Sequence, residues 1–328
     1  MTIQIGLNRL LAVMACLALV LLLAVPEGQA QGTTAPKDFA HYKALNDAET
    51  RLARYKDDDA ALRLKVDQLA VINASRKRHR VPPVQLDILA SRVANQMALE
   101  AASQGFWGHW NTRGEKPYHR YAFAGGVDHV SENAAAQSTS GRFNSGPASI
   151  AQKMRESHGR FMAEKRPHDG HKQTVINKNH NYVGIGYGLV GGEFRYYEEF
   201  IDRYFTFGQV PRQVKANRPF TIDVTVRPGK HLGIVTAFYE PVPKSMSVAQ
   251  VKRRGSYTDF TNTQASTINP LKVQDYRKGN TYTLPFEFAR PGLYYIQVYE
   301  EDRPYRLGTK YSNAGKIQGS GIVVRVGR

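Results

Sequence analysis

The chain has 328 residues, of which 41% are hydrophobic and 22% are charged, and its 45 Lys and Arg against 28 Asp and Glu give a net charge of +17. At about 100–200 residues per domain, this length predicts two domains, and the apolar fraction excludes a disordered chain. The single cysteine excludes a disulfide-stapled scaffold and a structural zinc site built on paired thiolates.

Residues 1–30 have the pattern of a cleavable secretory signal peptide. Arg9 supplies the positive charge, residues 10–25 are an uninterrupted apolar run, and Gly28 and Ala30 place small residues at a cleavage site. The run is shorter than the roughly 20 apolar residues of a membrane-spanning helix, so an uncleaved anchor is the weaker alternative. Cys16 lies in this segment, so the mature chain lacks cysteine. The sequence predicts export to the periplasm or the medium.

Charge and histidine are distributed unevenly along the rest of the chain. Residues 31–205 carry a net charge of +6 and nine of the ten histidines, whereas residues 206–328 carry +11. This division predicts a chemical or ligand site in the first part and a surface-binding role in the second.

The first part shows helical periodicity. Residues 31–60 form a leader of helical composition. A helix reaching about residue 75 is indicated by apolar residues at steps of three or four: Leu62, Val66, Leu69 and Ile72. A second helix, ended by Gly105, is indicated by the same spacing of Leu86, Leu89, Val93, Met97 and Ala101.

The following segment mixes helix and strand signals. Ser131 is predicted to cap a short helix through Ala136, and residues 149–165 are predicted to form another helix. Strand signals occupy residues 182–188 and 194–200. Residues 61–205 are therefore predicted to be an α+β domain in which helices cover a sheet in an α-β-α arrangement.

From residue 206 the pattern changes to short alternating strands. Hydrophobic residues alternate with polar ones in two runs: Phe220, Ile222, Val224 and Val226, and then Tyr282, Leu284, Phe286 and Phe288. Further strands are predicted at residues 293–299 and 322–326. Residues 206–328 are predicted to form an all-β, immunoglobulin-like sandwich.

Four residues of the first domain are candidates for chemistry: His109, Glu132, Glu164 and His171. Two histidines and two carboxylates could converge on a divalent metal ion or form a general acid/base set. Structural histidines and capping acids are the common alternative. His158, His168 and His180 are predicted to be exposed residues.

The order of short motifs adds a family resemblance. The motifs run from Ile72-Asn73-x-x-Arg76 through Gly105-Phe106 and His109 to Glu132-Asn133, Asp169-Gly-His171 and Val183-Gly-Ile-Gly186. In this order they resemble the CAP superfamily of cysteine-rich secretory proteins, antigen 5 and plant pathogenesis-related proteins, and most of all its cysteine-free bacterial branch. The resemblance covers about residues 62–204.

The resemblance implies a three-layer α-β-α sandwich with an open cleft that holds two histidines and two glutamates. The histidines map to His109 and His171, and the first glutamate maps to Glu132. The second maps to Glu164, with Glu156 as its rival. In some relatives a divalent ion, often zinc, lies between the histidines, with the glutamates as acid/base candidates. Asn73 and Arg76 are predicted to have structural roles.

The sequence alone is compatible with three functions. The first is an exported protein whose cleft binds a lipid, a peptide or a glycan, with or without zinc. The second is a metal-assisted peptidase, in which zinc on the histidines activates water and Glu132 or Glu164 is the base. The third is adhesion to the cell envelope through the basic sandwich. Two basic runs, residues 76–80 and 252–254, suit an anionic envelope surface better than nucleic acid.

Overall fold

The computed structural model describes residues 37–258, 261, 263–308 and 310–328. The predicted signal peptide, residues 1–30, lies outside the described residues. Within the described ranges, no helix combines the length and the apolar character that a membrane span requires.

Seven α-helices occur in the described part of the chain: α1 Phe39–Ala48, α2 Asp59–Arg78, α3 Ile88–Gln104, α4 Pro117–Phe123, α5 Pro147–Ala163, α6 Gly170–Val175 and α7 Val248–Lys252. Local signals fix several ends. The side chains of Asp38, Asp58 and Asp87 accept hydrogen bonds from main-chain N–H groups in the first turns of α1, α2 and α3. Gly105 ends α3 in a left-handed conformation, as the sequence predicts.

The first sheet has four strands in the order β1-β3-β4-β2. Their bounds are β1 Gln85–Leu86, β2 His129–Ser138, β3 Tyr182–Val190 and β4 Glu193–Asp202. β4 is antiparallel to both of its neighbours, and β1 is parallel to β3. The strand β2 therefore lies at one edge of the sheet.

The predicted short helix from Ser131 to Ala136 is wrong, because this segment belongs to β2. It pairs in continuous register with β4, with Glu132 opposite Glu199 and Ala134 opposite Tyr197. Pairing with a buried neighbouring strand overrides the local capping signal of a single serine.

The sheet is covered by helices on both faces, which confirms the three-layer prediction. On one face α2, α5 and α6 pack on alternate residues of β3 and β4. On the other face α3 lies unusually close, because glycines of β3 meet alanines of α3. A Cβ atom on Gly186 would lie 2.3 Å from the carbonyl carbon of Ala94.

Arg76 holds α2 and α6 in place from a fully buried position. Its guanidinium donates hydrogen bonds to the main-chain oxygens of Pro82, Val175, Asn177 and His180 at 2.6–3.1 Å. Asn73 exchanges hydrogen bonds with the main chain of Val84. These contacts are structural, as predicted, and they fix the loops that flank the sheet.

The second half of the chain forms two facing sheets. The strands are β5 Thr206–Phe207, β6 Gln213–Lys215, β7 Phe220–Thr225, β8 His231–Glu240, β9 Gln264–Ile268, β10 Arg277–Lys278, β11 Thr281–Phe286, β12 Gly292–Glu301, β13 Ile317–Gln318 and β14 Ile322–Gly327. One sheet has the order β10-β11-β7-β5, and the other has the order β6-β14-β12-β8-β9 with β13 paired to β12. Val224 and Leu284 from one sheet meet Val235 and Ile296 from the other in a common core. This is the predicted β-sandwich.

The two halves share buried contacts. Tyr118 and Tyr121 of α4 pack against Leu293 and Tyr295 of β12, and the rings of Tyr118 and Tyr295 are stacked at 4.4 Å. The connection between β8 and β9 also leaves the sandwich and lies on the first half. Its residues 241–258 are called the crossing segment here.

The crossing segment joins the core of the first half. Val251 of α7 is 1% exposed and packs in one cluster with Met97 of α3 and Tyr197 of β4. The main-chain N–H of Met246 donates to the carbonyl oxygen of Thr112 at 2.7 Å. The sandwich therefore contributes apolar side chains to the hydrophobic core of its neighbour.

Candidate functional site

His109 lies in the loop after α3 and is held by a buried carboxylate. Its Nδ1 is 2.8 Å from Oε1 of Glu132, whose side chain is completely buried on β2. Arg120 of α4 donates to the other oxygen of Glu132 and, at 2.7 Å, to the main-chain oxygen of His109. One guanidinium thus fixes both the carboxylate and the histidine backbone.

The protonation of His109 follows from these surroundings. Burial and the nearby charge of Arg120 lower the pKa of His109 to about 4, so the imidazole is neutral at neutral pH. Its Nδ1–H donates to the Glu132 carboxylate. The Nε2 atom of the same ring therefore carries a lone pair and can accept a proton, a hydrogen bond or a metal ion.

His171 has the same kind of partner on the other side of the sheet. It lies in α6, and its Nδ1 contacts Oε1 of Glu164, the residue that ends α5. The second oxygen of Glu164 accepts the main-chain N–H of His171 at 3.0 Å. Glu156 is exposed on α5 and accepts a hydrogen bond from Gln152, so Glu164 is the glutamate beside His171.

The two histidines approach each other past the edge of β2. Glu132 faces His109, and the next residue, Asn133, donates to the main-chain oxygen of His171 at 3.0 Å. Adjacent residues of a strand point to opposite faces, so each face of the sheet supplies one histidine. The ring centroids are 6.5 Å apart. The four predicted residues thus form two His–Glu pairs at one edge of the sheet.

Glu199 is a site residue that the sequence reasoning missed. It lies opposite Glu132 on β4, is fully buried, and neither of its carboxyl oxygens has a hydrogen-bond donor among the described residues. Arg120 Nη2 is 3.6 Å from its Oε1. Burial and the charge of Glu132 raise the pKa of Glu199 well above its ordinary value. Glu199 therefore holds a proton more readily than an ordinary glutamate does.

Tyr257 of the crossing segment also reaches the site. Its hydroxyl accepts the main-chain N–H of Glu132 at 3.1 Å, and its ring centroid is 5.0 Å from that of His109. The contact joins residues 125 positions apart in the chain. No local pattern in the sequence could reveal it.

Two histidines that were predicted to be exposed are buried instead. His158 lies 2.8 Å from Glu198 and 2.9 Å from Ser75, and His180 lies 2.6 Å from Asp202. Both are less than 3% exposed, whereas His168 is exposed as predicted. Glu198 and Ser75 contact the two ring nitrogens of His158, and Asp202 contacts Nδ1 of His180. The sequence alone does not distinguish such buried histidines from site histidines.

A comparison with models of protein families matches the part of the chain that contains this site. The model of the cysteine-rich secretory protein family, CAP, matches residues 69–206. The chain therefore carries a CAP domain. The matched range includes both His–Glu pairs as well as Arg120 and Glu199.

Similar solved structures cover about two fifths of the chain. An extracellular protein with an SCP domain from Bacillus anthracis has 19% identity and a TM-score of 0.31, and covers 42% of this chain and 39% of its own. An outer surface protein from Borrelia burgdorferi has 15% identity and a TM-score of 0.35, with coverages of 43% and 93%. A cysteine-rich secretory protein from Staphylococcus aureus has 17% identity and a TM-score of 0.27, with coverages of 43% and 39%.

This chain thus spans about two fifths of the length of the Bacillus and Staphylococcus proteins. No curated protein sequence matches it.

The donor set of the CAP cleft can be tested against zinc. Two imidazoles, each with a carboxylate beside its Nδ1 atom, suit zinc in ligand type. A catalytic zinc site takes three protein ligands, and the described residues contain no group of three or more His, Cys, Asp or Glu placed to hold a metal ion. The cleft is one ligand short of such a site, so these residues do not fit a catalytic zinc ion.

Proposed function

We propose that the protein is an exported CAP-domain protein whose cleft binds an extended peptide along the edge of β2. The observation that carries this proposal is the position of that edge between His109 and His171. Export is supported by the apolar run and small-residue cleavage pattern of residues 1–30.

The main chain of β2 offers hydrogen-bonding groups to an added strand. The N–H of Glu132 points away from β4, because it donates to Tyr257. Alternate residues of an antiparallel strand direct their polar groups to the same side, so the N–H and C=O of Ala134 also point outward. No side chain or loop of the described residues donates to or accepts from the main chain of Ala134.

The neighbouring side chains are small enough for another backbone to approach. Residues 134–136 are all alanine, and each is partly exposed. A peptide added as a strand would pair with these residues through its main chain.

The two histidines would then contact alternate side chains of the peptide. Side chains of a strand alternate between the two faces, and His109 and His171 lie on opposite faces of the sheet next to β2. The Nε2 atom of the neutral His109 ring accepts a hydrogen bond, which favours a peptide residue that carries a donor on that face. A lipid chain would use neither the free main-chain groups nor this acceptor, so a peptide is preferred to a lipid.

Substitution of Ala134 tests the binding mode. Ala134→Pro removes the outward N–H at an edge position, where proline is tolerated, and Ala134→Ser is the matched control. Both proteins are screened against an immobilised library of random short peptides, and selected peptides are titrated by calorimetry. We expect at least about tenfold weaker binding by the proline variant and unchanged binding by the serine variant. Equal affinities for the selected peptides would make strand addition wrong.

The peptidase hypothesis is separated in the same assay. Mass spectrometry of the bound peptides detects cleavage, which binding alone does not produce. Cleavage lost in Glu132→Gln would favour the hydrolase over the binding protein.

N-terminal sequencing of the protein recovered from the medium or the periplasm tests export, with a first residue near position 31 as the expected result.

A further inference from the structure

A second concave site lies where the crossing segment meets the CAP domain. The cavity has a volume of about 730 Å³, within the usual range of small-molecule pockets. Trp110 and Lys116 line it from the CAP domain, and Glu240 and Arg254 line it from the sandwich side. It is separate from the His109 cleft in its lining residues, and its use does not depend on the peptide proposal.

The lining of this cavity is strongly cationic. Lys116, Lys244, Arg253 and Arg254 supply four positive charges, and Glu240 is the acid among the lining residues. Four cations against one carboxylate leave an excess of positive charge, which attracts anionic ligands.

Glu240 is already neutralised within the protein. Its carboxylate contacts the Tyr118 hydroxyl and lies 3.3 Å from Lys116 Nζ and 3.1 Å from His119 Nε2. It therefore does not compensate the charges of Arg253 and Arg254. Among the described residues, no carboxylate forms an ion pair with either arginine.

Trp110 gives the cavity an aromatic wall. The guanidinium of Arg254 lies 4.9 Å from the centre of the Trp110 ring system, and Lys116 Nζ lies 5.7 Å from it. The indole Nε1–H is buried and has no acceptor among the described residues. A ligand in this cavity would therefore contact the indole ring system and the guanidinium beside it.

We propose that this cavity binds an acidic saccharide, a glycan whose sugars carry carboxylates. Carboxylates pair with Arg253 and Arg254, and the apolar faces of sugar rings suit the indole of Trp110. The shape argues against a bilayer surface, because Lys116 is only 9% exposed and a flat surface could not reach it. The predicted anionic partner of the 252–254 basic run thus becomes a glycan that enters a cavity formed by both domains.

The test uses the full chain and trigalacturonate as the probe, titrated by calorimetry at low salt. We expect Arg253→Gln/Arg254→Gln to bind at least about tenfold more weakly than the wild type. The matched control is Lys77→Gln/Arg80→Gln, which removes two exposed charges from the other basic run. Its affinity should stay within about twofold. An equal loss in both variants, or no loss in the first, would overturn the proposal.

Trp110 provides a readout inside the cavity. The sequence contains two tryptophans, so Trp107→Phe leaves Trp110 as the emitter. Its fluorescence should change with the same midpoint as the calorimetric titration, and an unchanged emission at saturation would place the saccharide elsewhere. Inorganic phosphate and anionic phosphatidylglycerol vesicles form two further arms. Binding of either one that matches or exceeds that of trigalacturonate, and that is lost in the arginine variant, would replace the glycan with that ligand.

Discussion

Two neighbouring glutamates of β4, Glu198 and Glu199, are both completely buried, yet they have opposite environments. Glu198 faces α2 and α5 and accepts hydrogen bonds from His158 and the hydroxyl of Tyr196, both at 2.8 Å. Glu199 faces α3 and α4, and neither of its oxygens has a donor among the described residues. The same side chain at the same depth accepts hydrogen bonds on one face, whereas on the other face it has no donor among the described residues and its pKa is raised.

The two glutamates are equally buried, so burial does not distinguish them. The number of hydrogen bonds that each carboxylate accepts does distinguish the Glu198 face of the CAP sheet, called the structural face, from the cleft face with Glu199. On the structural face Glu198 accepts hydrogen bonds from His158 and Tyr196, and His158 also contacts Ser75. On the cleft face the charge of Glu132 raises the pKa of Glu199, and the same Glu132 carboxylate orients His109. Three experiments test this comparison.

The largest effect is expected from Glu198→Ala. The change leaves His158 and Tyr196 without their buried acceptor, and breaking a buried charged network costs about 3–5 kcal/mol. Urea unfolding measures the free energy. Glu156→Ala, on the exposed surface of α5, is the control and should change it by less than about 0.5 kcal/mol. Similar losses in both variants would contradict the structural role of Glu198.

A smaller effect is expected from the protonation of His109. Its pKa is about 4 in the folded protein and about 6.5 in an unfolded chain. As the pH falls from 6.5 to 4, the unfolded chain takes up a proton that the folded protein does not, so stability is lost. The loss is at most about 3 kcal/mol. Unfolding of the wild type and His109→Gln at several pH values measures it. An imidazole NMR titration with a midpoint near 6.5 would contradict the buried, neutral state.

The smallest effect is expected from Glu199→Gln, and it has the opposite sign. Because the pKa of Glu199 is raised, the wild type loses stability as the pH rises above the ordinary glutamate value of about 4.3. The amide mimics the neutral acid without titrating, so the variant should be more stable at pH 7 by about 1 kcal/mol. The gain should vanish near pH 4. Glu198→Gln is the matched variant on the structural face. Equal destabilisation of the Glu198→Gln and Glu199→Gln variants would remove the distinction between the two faces.

The sequence predicts the layers of the CAP domain because its signals are local. Gly105 and apolar residues at helical spacing mark α2 and α3. The segment from Ser131 was mistaken for a helix because its strand character comes from pairing with β4. That pairing is a tertiary effect that single-residue propensities do not contain.

The candidate site was predictable only in part for the same reason. His109, Glu132, Glu164 and His171 occur in short motifs that can be matched one at a time. Glu199 is meaningful only through its register with Glu132, and Tyr257 only through the path of the crossing segment. Alternation within residues 193–202 could have placed Glu198 and Glu199 on opposite faces, but not the neighbours that distinguish them.

The packing of Val251 has a practical consequence for dissecting the protein. A fragment ending near residue 206 would contain every element of the CAP domain but would expose the apolar surface of Met97 and Tyr197 that Val251 covers. It would also lose the tyrosine hydroxyl that caps the outward N–H of Glu132. The CAP segment of this chain is therefore not an autonomous module. A domain boundary drawn where the family match ends, at residue 206, would cut through its hydrophobic core.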